Sequence, residues 1–205
     1  MLRLFIFLFL FMASCSATRS FQAGDLIFQD LNCGDLCTAI EDVTQRQFNV
    51  SGPNLSHVGI LSKEDQKWFV YEAYDAVQRT PLKAFLKRSR NQFRLARFKT
   101  LTPKQREDLA AFAKKELGTP YDEDFQINNK KYYCSELVLE AFMKVSDNQS
   151  LSYLSMYYGD LTDPEDRSAQ IWKEYFTEKG QPVPSGQPGI SPLAIYLSKA
   201  VEVIQ

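Results

Sequence analysis

Short apolar stretches bounded by turn residues mark the predicted strands of this chain. They fall within residues 24–28, 56–61, 67–73 and 93–98. Other stretches carry apolar residues three or four positions apart, which is typical of amphipathic helices. These predict helices over residues 36–43, 84–90, 103–117 and 165–178, with two more that start at 134 and 192.

The clearest predicted helix begins with a recognisable cap. Thr102 is a good N-cap, Pro103 fits the first helical position and Gln105 completes a capping box. The helix ends at Gly118. The turn Gly-Thr-Pro-Tyr-Asp starts at this glycine, and its proline makes the backbone rigid. We therefore expect Tyr121 to point in a fixed direction.

Cys134 opens another predicted amphipathic helix, because apolar residues follow it at helical spacing: Leu137, Val138, Ala141 and Phe142. A thiol in a first helical turn lies near unpaired backbone N–H groups and the positive end of the helix dipole. Both favour the thiolate, which is the nucleophilic form. A free cysteine is more often a small buried hydrophobic residue, so this residue alone leaves both interpretations open.

His57 and Glu72 fall on two predicted strands that follow each other in a hairpin. If residues 63–66 form the loop, Ser62 pairs with Lys67 and His57 lies directly opposite Glu72. A carboxylate beside an imidazole can accept its N–H, fix its tautomer and stabilise the imidazolium. The prediction depends on the loop length, because a slip of one residue would destroy the pairing. A purely structural His–Glu hydrogen bond is the alternative.

The first residues have the features of an export signal. Arg3 supplies a positive start, and residues 4–12 form an apolar run that is too short for an ordinary membrane-spanning helix. The segment Met-Ala-Ser-Cys that ends at Cys15 resembles the bacterial lipobox, in which the cysteine is lipidated and becomes the mature N-terminus. Plain secretory cleavage near Cys15 is the alternative. We expect an exported protein of the periplasm or cell envelope that associates with the membrane through this lipid.

Composition limits the number of domains and the kind of partner. The chain has 205 residues, of which 44% are hydrophobic, so it can form one full core. We predict a signal peptide over residues 1–14, a lipidated and flexible lead-in over 15–22 and one folded domain over 23–205. The net charge is −1 and no run of lysine or arginine is present, so we expect no nucleic-acid partner.

The cysteines and the histidine limit metal and redox chemistry. His57 is the only histidine, which excludes a site with several histidine ligands. Cys33 and Cys37 lack the Cys-x-x-Cys spacing and have no second ligand pair, so we predict no metal and no cofactor. We expect them to be two small packing residues. A local disulfide, which an exported protein permits, is the alternative.

Four segments together resemble a known superfamily. They are Gly-Asp-Leu-Ile-Phe from Gly24, Ser-His-Val-Gly-Ile from Ser56, Gly-x-Pro-Tyr from Gly118 and Tyr-Cys-Ser-Glu from Tyr133. They are similar to the signature segments of the NlpC/P60 papain-like superfamily. The histidine precedes the cysteine here, as in the circularly permuted branch, and the YiiX-like permuted papain-like amidases are the most similar group. The resemblance covers residues 24–145, with a weaker echo at 191–192.

The resemblance implies a fold and a set of roles. The fold would be α+β, a circularly permuted papain-like (NlpC/P60) catalytic domain with an antiparallel sheet or small barrel packed against helices. Cys134 would be the nucleophile and His57 the general base. Glu72 would take the third polar position, and Tyr121 matches a tyrosine near the oxyanion site. Such a triad would hydrolyse amides through a thioester.

Two other functions remain open at this stage. A lipid-directed acyltransferase of the lecithin:retinol acyltransferase-like type would suit a lipid anchor and the apolar segment 153–158. That group, however, carries a different motif around its nucleophile. A non-catalytic envelope binding module is the other alternative. For a hydrolase, the expected substrates are amides: a peptidoglycan stem peptide, a lipidated peptide or an N-acyl amide.

Overall fold

The computed structural model describes residues 21–147 and 150–204. The predicted signal peptide and the predicted lipid at Cys15 lie outside these residues. No helix in the described part of the chain is long and apolar enough to cross a membrane.

The strands form one main sheet and one small ribbon. In chain order they are β1 (Leu26–Gln29), β2 (His57–Glu64), β3 (Lys67–Ala73), β4 (Val77–Pro81), β5 (Arg94–Phe98), β6 (Leu154–Ser155), β7 (Pro188–Gly189) and β8 (Val201–Val203). The main sheet has the order β4-β3-β2-β1-β5-β8, and each of these neighbouring pairs is antiparallel. The strands β1, β2, β3 and β5 confirm the four predicted strands. The ribbon pairs β6 with β7.

In the described part of the chain, helices pack on both faces of the main sheet. In chain order they are α1 (Asp35–Phe48), α2 (Leu82–Arg88), α3 (Pro103–Lys115), α4 (Cys134–Val145), α5 (Arg167–Glu178) and α6 (Pro192–Leu197). Each confirms a predicted helix, although α1 is longer than its apolar pattern indicated. The capping box is present at the start of α3, where Thr102 and Gln105 bond to each other's backbone N–H groups.

The alternation of side chains along β1 separates the two faces of the sheet. Leu26 and Phe28 belong to the large core, which α3, α4 and α1 help to form. Ile27 belongs to a smaller cluster on the other face, together with Phe85 of α2. The same alternation places His57 and Glu72 on the α2 face.

The β2–β3 turn is shorter than predicted. It contains only Asp65 and Gln66, which both have positive φ, as a two-residue hairpin turn requires. Ser62 therefore pairs with Phe69 rather than with Lys67. The predicted register is wrong by two residues, and His57 does not lie directly opposite Glu72. A shift of two residues nevertheless leaves every side chain on its predicted face.

Cys33 and Cys37 form a disulfide with a Cα–Cα distance of 5.3 Å, so their prediction as separate packing residues is wrong. Cys33 precedes α1, whereas Cys37 lies in the first turns of the helix. Between them Gly34 has a φ of 85°, and this left-handed conformation turns the chain before the helix starts. The turn brings the two Cα atoms within the range that a disulfide spans.

Candidate active site

Cys134 is the first residue of α4. It is buried, and it is the free cysteine of the described residues. Two hydrogen bonds to the backbone of Ile190 hold the start of this helix in place. The Ile190 N–H donates to the Tyr133 hydroxyl over 3.0 Å, and the Ser135 hydroxyl donates to the Ile190 carbonyl over 2.8 Å. The thiol therefore lies at a fixed helix N-terminus, as predicted.

His57 is the first residue of β2 and is almost completely enclosed. Its Nε2 lies 2.6 Å from Glu72 Oε2, and the two side chains are 2% and 0% exposed. The ring also contacts Phe85 and Tyr74, at centroid distances of 5.8 and 6.0 Å. The predicted contact between His57 and Glu72 is present even though the predicted register is not.

A glycine makes this diagonal contact possible. With the observed register, Gly59 is the position opposite Glu72. A Cβ at Gly59 would lie 2.4 Å from Val70 Cγ1 and 3.3 Å from Glu72 Cβ. The missing side chain leaves room for the Glu72 carboxylate to reach along the sheet towards His57.

His57 joins Glu72 to Cys134. Because Glu72 occupies Nε2, Nδ1 is the ring nitrogen left for the hydrogen bond with the Cys134 side chain. Burial lowers the pKa of His57, but the charge of Cys134 and the bonds to Cys134 and Glu72 outweigh burial and raise the pKa to about 9. The arrangement favours the imidazolium form of His57.

Arg88, the last residue of α2, is a member of the site that sequence reasoning missed. Its Nη2 donates to both oxygens of Glu72, each over 2.6 Å. Burial opposes ionisation of Glu72, but the bond and charge of His57 and the charge of Arg88 hold its pKa below the usual value. The sequence predicts a helix over residues 84–90, but its pattern does not identify an arginine that faces the sheet.

Tyr121 lies beside Cys134, as predicted. Its N–H donates to the Asp75 carbonyl over 3.3 Å, and a β-bridge joins it to Tyr132, two residues before the cysteine. Both Tyr121 and Cys134 line the same pocket. Burial and then the charge of Cys134 raise the pKa of Tyr121 well above 10, so its hydroxyl remains a proton donor at neutral pH.

The pocket at Cys134 is mainly apolar. Its cavity volume is about 40 Å³. Its walls come from α1, the loop after Tyr121, the segment beside β6, and α5, and include Ile40, Val43, Phe125, Met156, Tyr157 and Trp172. The described residues that line it include no Asp, Glu, Lys, Arg or His; besides the Cys134 thiol, their polar side-chain groups are hydroxyls and the Trp172 indole N–H.

The side chains present offer little to a metal ion. Among residues 21–147 and 150–204, no three His, Cys, Asp or Glu side chains group in a way that could hold one. His57, the histidine of these residues, bonds Glu72 and Cys134 instead.

The fold and the Cys–His contact together define a papain-like protein with permuted chain order. The family model of the permuted papain-like amidase enzymes, the YaeF/YiiX or C92 peptidase family, matches residues 20–204, and the chain belongs to this family. It is 30% identical over 182 residues to the uncharacterized protein YiiX of Escherichia coli K12, covering 85% of this chain and 81% of the relative.

A solved structure shares the fold. The crystal structure titled metalloprotein yiiX, from Escherichia coli O157:H7, has a TM-score of 0.73 and 26% sequence identity, and the match covers 90% of this chain and 96% of that one. The predicted family and the predicted α+β permuted papain-like fold are thus confirmed. Membership of this family also supports a cysteine amidase as the general class of function.

Proposed function

We propose that this protein hydrolyses amides through a Cys134–His57–Glu72 triad and a thioester intermediate. The observation that carries the proposal is the enclosed imidazole of His57, which bonds Glu72 on one side and Cys134 on the other. An anion on each side favours the imidazolium, and the imidazolium in turn favours the thiolate.

In the first step the Cys134 thiolate attacks the amide carbonyl carbon and forms a C–S bond. In this mechanism the backbone N–H of Cys134, at the start of α4, and the Tyr121 hydroxyl, which lines the same pocket, stabilise the oxyanion. The C–N bond then breaks while His57 gives its proton to the leaving nitrogen. The amine departs and a thioester remains.

In the second step His57, now neutral, takes a proton from water as the oxygen attacks the thioester carbonyl. The C–S bond breaks, the acid leaves, and the enzyme returns to the thiolate and imidazolium. Glu72 keeps one imidazole orientation throughout, because its bond fixes Nε2.

The pocket favours an amide whose acyl part is apolar. Aromatic and aliphatic side chains line it, and none of its described lining residues could pair with the charged groups of a peptidoglycan stem peptide. Among the expected substrates, an N-acyl amide or a lipidated peptide fits this lining better. Product analysis distinguishes hydrolysis from transfer of the acyl group to an amine or alcohol.

Export to the cell envelope and lipidation of Cys15 belong to the same proposal. The apolar segment before Cys15 supports them, and so does the Cys33–Cys37 disulfide, because such bonds persist in oxidising compartments. The related YiiX structure is titled a metalloprotein, but the donor set here gives no metal a role in the proposed steps.

The test is the rate at which iodoacetamide alkylates Cys134 between pH 5 and 9, followed by peptide mass spectrometry that separates Cys134 from Cys15. We expect rapid labelling near pH 6 that falls at least about 10-fold in His57→Ala, because the imidazolium sustains the thiolate. Cys134→Ser should abolish release of the amine from N-acyl anilides.

Labelling that rises only near pH 8.5 and does not change in His57→Ala would show an ordinary thiol and support the binding-module alternative. Retained amide cleavage in Cys134→Ser would also contradict the mechanism. Glu107→Gln, an exposed change on α3, is the control for a general effect of substitution.

A further inference from the structure

The Glu72 carboxylate has two cationic neighbours rather than one. Its Oε2 lies 2.6 Å from His57 Nε2 and also 2.6 Å from Arg88 Nη2. The Glu72 side chain is 0% exposed, whereas that of Arg88 is 22% exposed. The arginine therefore closes the site from the solvent side and supplies the second positive charge that the buried carboxylate contacts.

The groups that surround the pair come from three elements and from the residue that follows β3. Cys134 faces His57 from α4, and Tyr74, directly after β3, also faces it. Arg88 faces Glu72 from α2, and the Thr80 hydroxyl bonds Glu72 from β4. Of these groups, Arg88 is the one that stays positively charged when His57 loses its proton.

The need for such a charge follows from the proton transfers. Each turnover makes His57 neutral once, when it protonates the leaving amine. At that moment a buried Glu72 without Arg88 would be an uncompensated anion, and it would resist the transfer by holding the proton on His57. A permanent cation beside Glu72 removes this resistance.

We propose that Arg88 is a positioning residue that keeps Glu72 ionised and directed at His57 while His57 gives its proton to the leaving amine and takes one from water. The inference rests on the proposed function, because it gives Arg88 a part in the same site. It assigns Arg88 no contact with the substrate.

Arg88 also has contacts that could be only structural. Its guanidinium lies over the rings of Tyr74 and Phe85, at 4.6 and 4.9 Å from their centroids. Loss of packing alone would loosen α2 and weaken the His57–Glu72 bond. That would move the midpoint of His57 titration downward, whereas loss of the charge beside an intact bond moves it upward. The sign of the shift separates the two roles.

The experiment is NMR titration of His57 in protein labelled at histidine and freed of any polyhistidine tag. His57 is the only histidine in the sequence, so its ring signals need no assignment. In Arg88→Met we expect the midpoint to rise by about one pH unit or more, and kcat for an N-acyl anilide to fall about 10-fold or more. Arg88→Lys, which keeps the charge, should stay within about half a unit of the native midpoint.

Arg79→Met is the matched control. Arg79 pairs with Glu64 over 2.8 Å and lies over the Phe69 ring. Like Arg88 it therefore makes an ion pair and a cation–π contact, but away from Cys134. Its loss should leave the His57 midpoint unchanged. If Arg88→Met does not fold, Arg88→Gln, which retains two N–H donors without the charge, should give the same upward shift.

An unchanged or lowered midpoint in the folded Arg88→Met or Arg88→Gln protein would overturn the role of Arg88. The titration needs no substrate, so it decides this point even if no amide is hydrolysed. Failure of the proposed function is visible separately, as Cys134 labelling that does not depend on His57.

Discussion

At the scale of single residues, three buried glutamates show how surroundings set charge. Glu72 contacts His57 and Arg88, and its pKa is lowered despite complete burial. Burial and the nearby Asp122 raise the pKa of Glu136 to about 8. Burial and then the charge of Asp30 raise the pKa of Glu41 to about 7. Cationic partners, rather than depth, keep a carboxylate ionised here.

Glu41 should reduce the stability of the fold at neutral and alkaline pH. Between pH 4.5 and 7 folded Glu41 holds a proton that the unfolded chain has released, so stability falls as pH rises through this window. Glu41→Gln should therefore unfold like the native protein at pH 4, yet be more stable by about 2 kcal/mol at pH 8. Urea unfolding at both pH values measures this difference.

Glu107→Gln, on an exposed face of α3, should show no such pH-dependent gain. An equal gain for Glu41→Gln at pH 4 and pH 8 would mean that the ionisation of Glu41 is not the cause.

At the scale of elements, the β2–β3 hairpin explains why a wrong register gave a correct contact. The sequence has Asp65-Gln66 at the turn, and this pair lacks the Asn-Gly or Asp-Gly pattern that marks a two-residue loop. The sequence therefore does not predict the length of this loop. It does predict which side chains share a face of the sheet, and an error of two residues leaves those faces unchanged. His57 and Glu72 therefore still meet.

Other features of the site depend on contacts that leave no local pattern. Phe85 is the buried residue of α2, and a short basic helix of this kind is also typical of an exposed surface. Arg88 meets Glu72 only because α2 docks on that face of the sheet. Likewise, Cys33 and Cys37 meet through the left-handed Gly34, which residue spacing alone does not predict.

A methyl group added at Gly59 of β2 should reduce both the stability of the fold and the reactivity of Cys134. Gly59→Ala would place a Cβ 2.4 Å from Val70 Cγ1 and displace the strand pair that carries His57 and Glu72. We expect a loss of about 2 kcal/mol in unfolding free energy and slower alkylation of Cys134. Thermal and urea unfolding, with labelling at pH 6, measure both.

A double-mutant cycle isolates this clash. Val70→Ala removes the Cγ1 atom that the new methyl group would meet, so Gly59→Ala should cost clearly less in the Val70→Ala background. Additive costs would show that the tight approach of β2 and β3 is not the reason.

At the scale of the whole molecule, the site joins parts that are distant in the chain. The sequence gives the order of the motifs along the chain but does not show that Cys134 contacts His57. The resemblance to a known family predicts that contact. No local pattern predicts the position of the segment after residue 150, because long-range hydrogen bonds hold it. Arg46 of α1 makes two hydrogen bonds to Asp166, at 2.8 and 3.0 Å, and Gln47 bonds the Ser155 carbonyl.

This segment forms one wall of the pocket, and we predict that it controls substrate size. Met156→Trp should fill the pocket and raise KM for bulky N-acyl substrates about 10-fold, because one changed contact in an apolar pocket has an effect of that order. Alkylation of Cys134 by the small reagent iodoacetamide should not change. Steady-state kinetics over a series of acyl chain lengths measures the effect.

Met143→Trp is the control, since Met143 is exposed on α4 and does not line the pocket. Equal KM values for long and short acyl groups in Met156→Trp would show that the acyl chain does not occupy this pocket.

The Cys33–Cys37 bond leaves Cys134 as the free thiol of the residues that the structure describes. The two partners are four positions apart, whereas Cys134 follows about a hundred residues later. In a chain that crosses a membrane N-terminus first, neighbouring cysteines can pair before Cys134 emerges, and folding then buries Cys134 to 5% exposure. If the protein is exported as proposed, early local pairing would keep Cys134 out of wrong disulfides during oxidative folding.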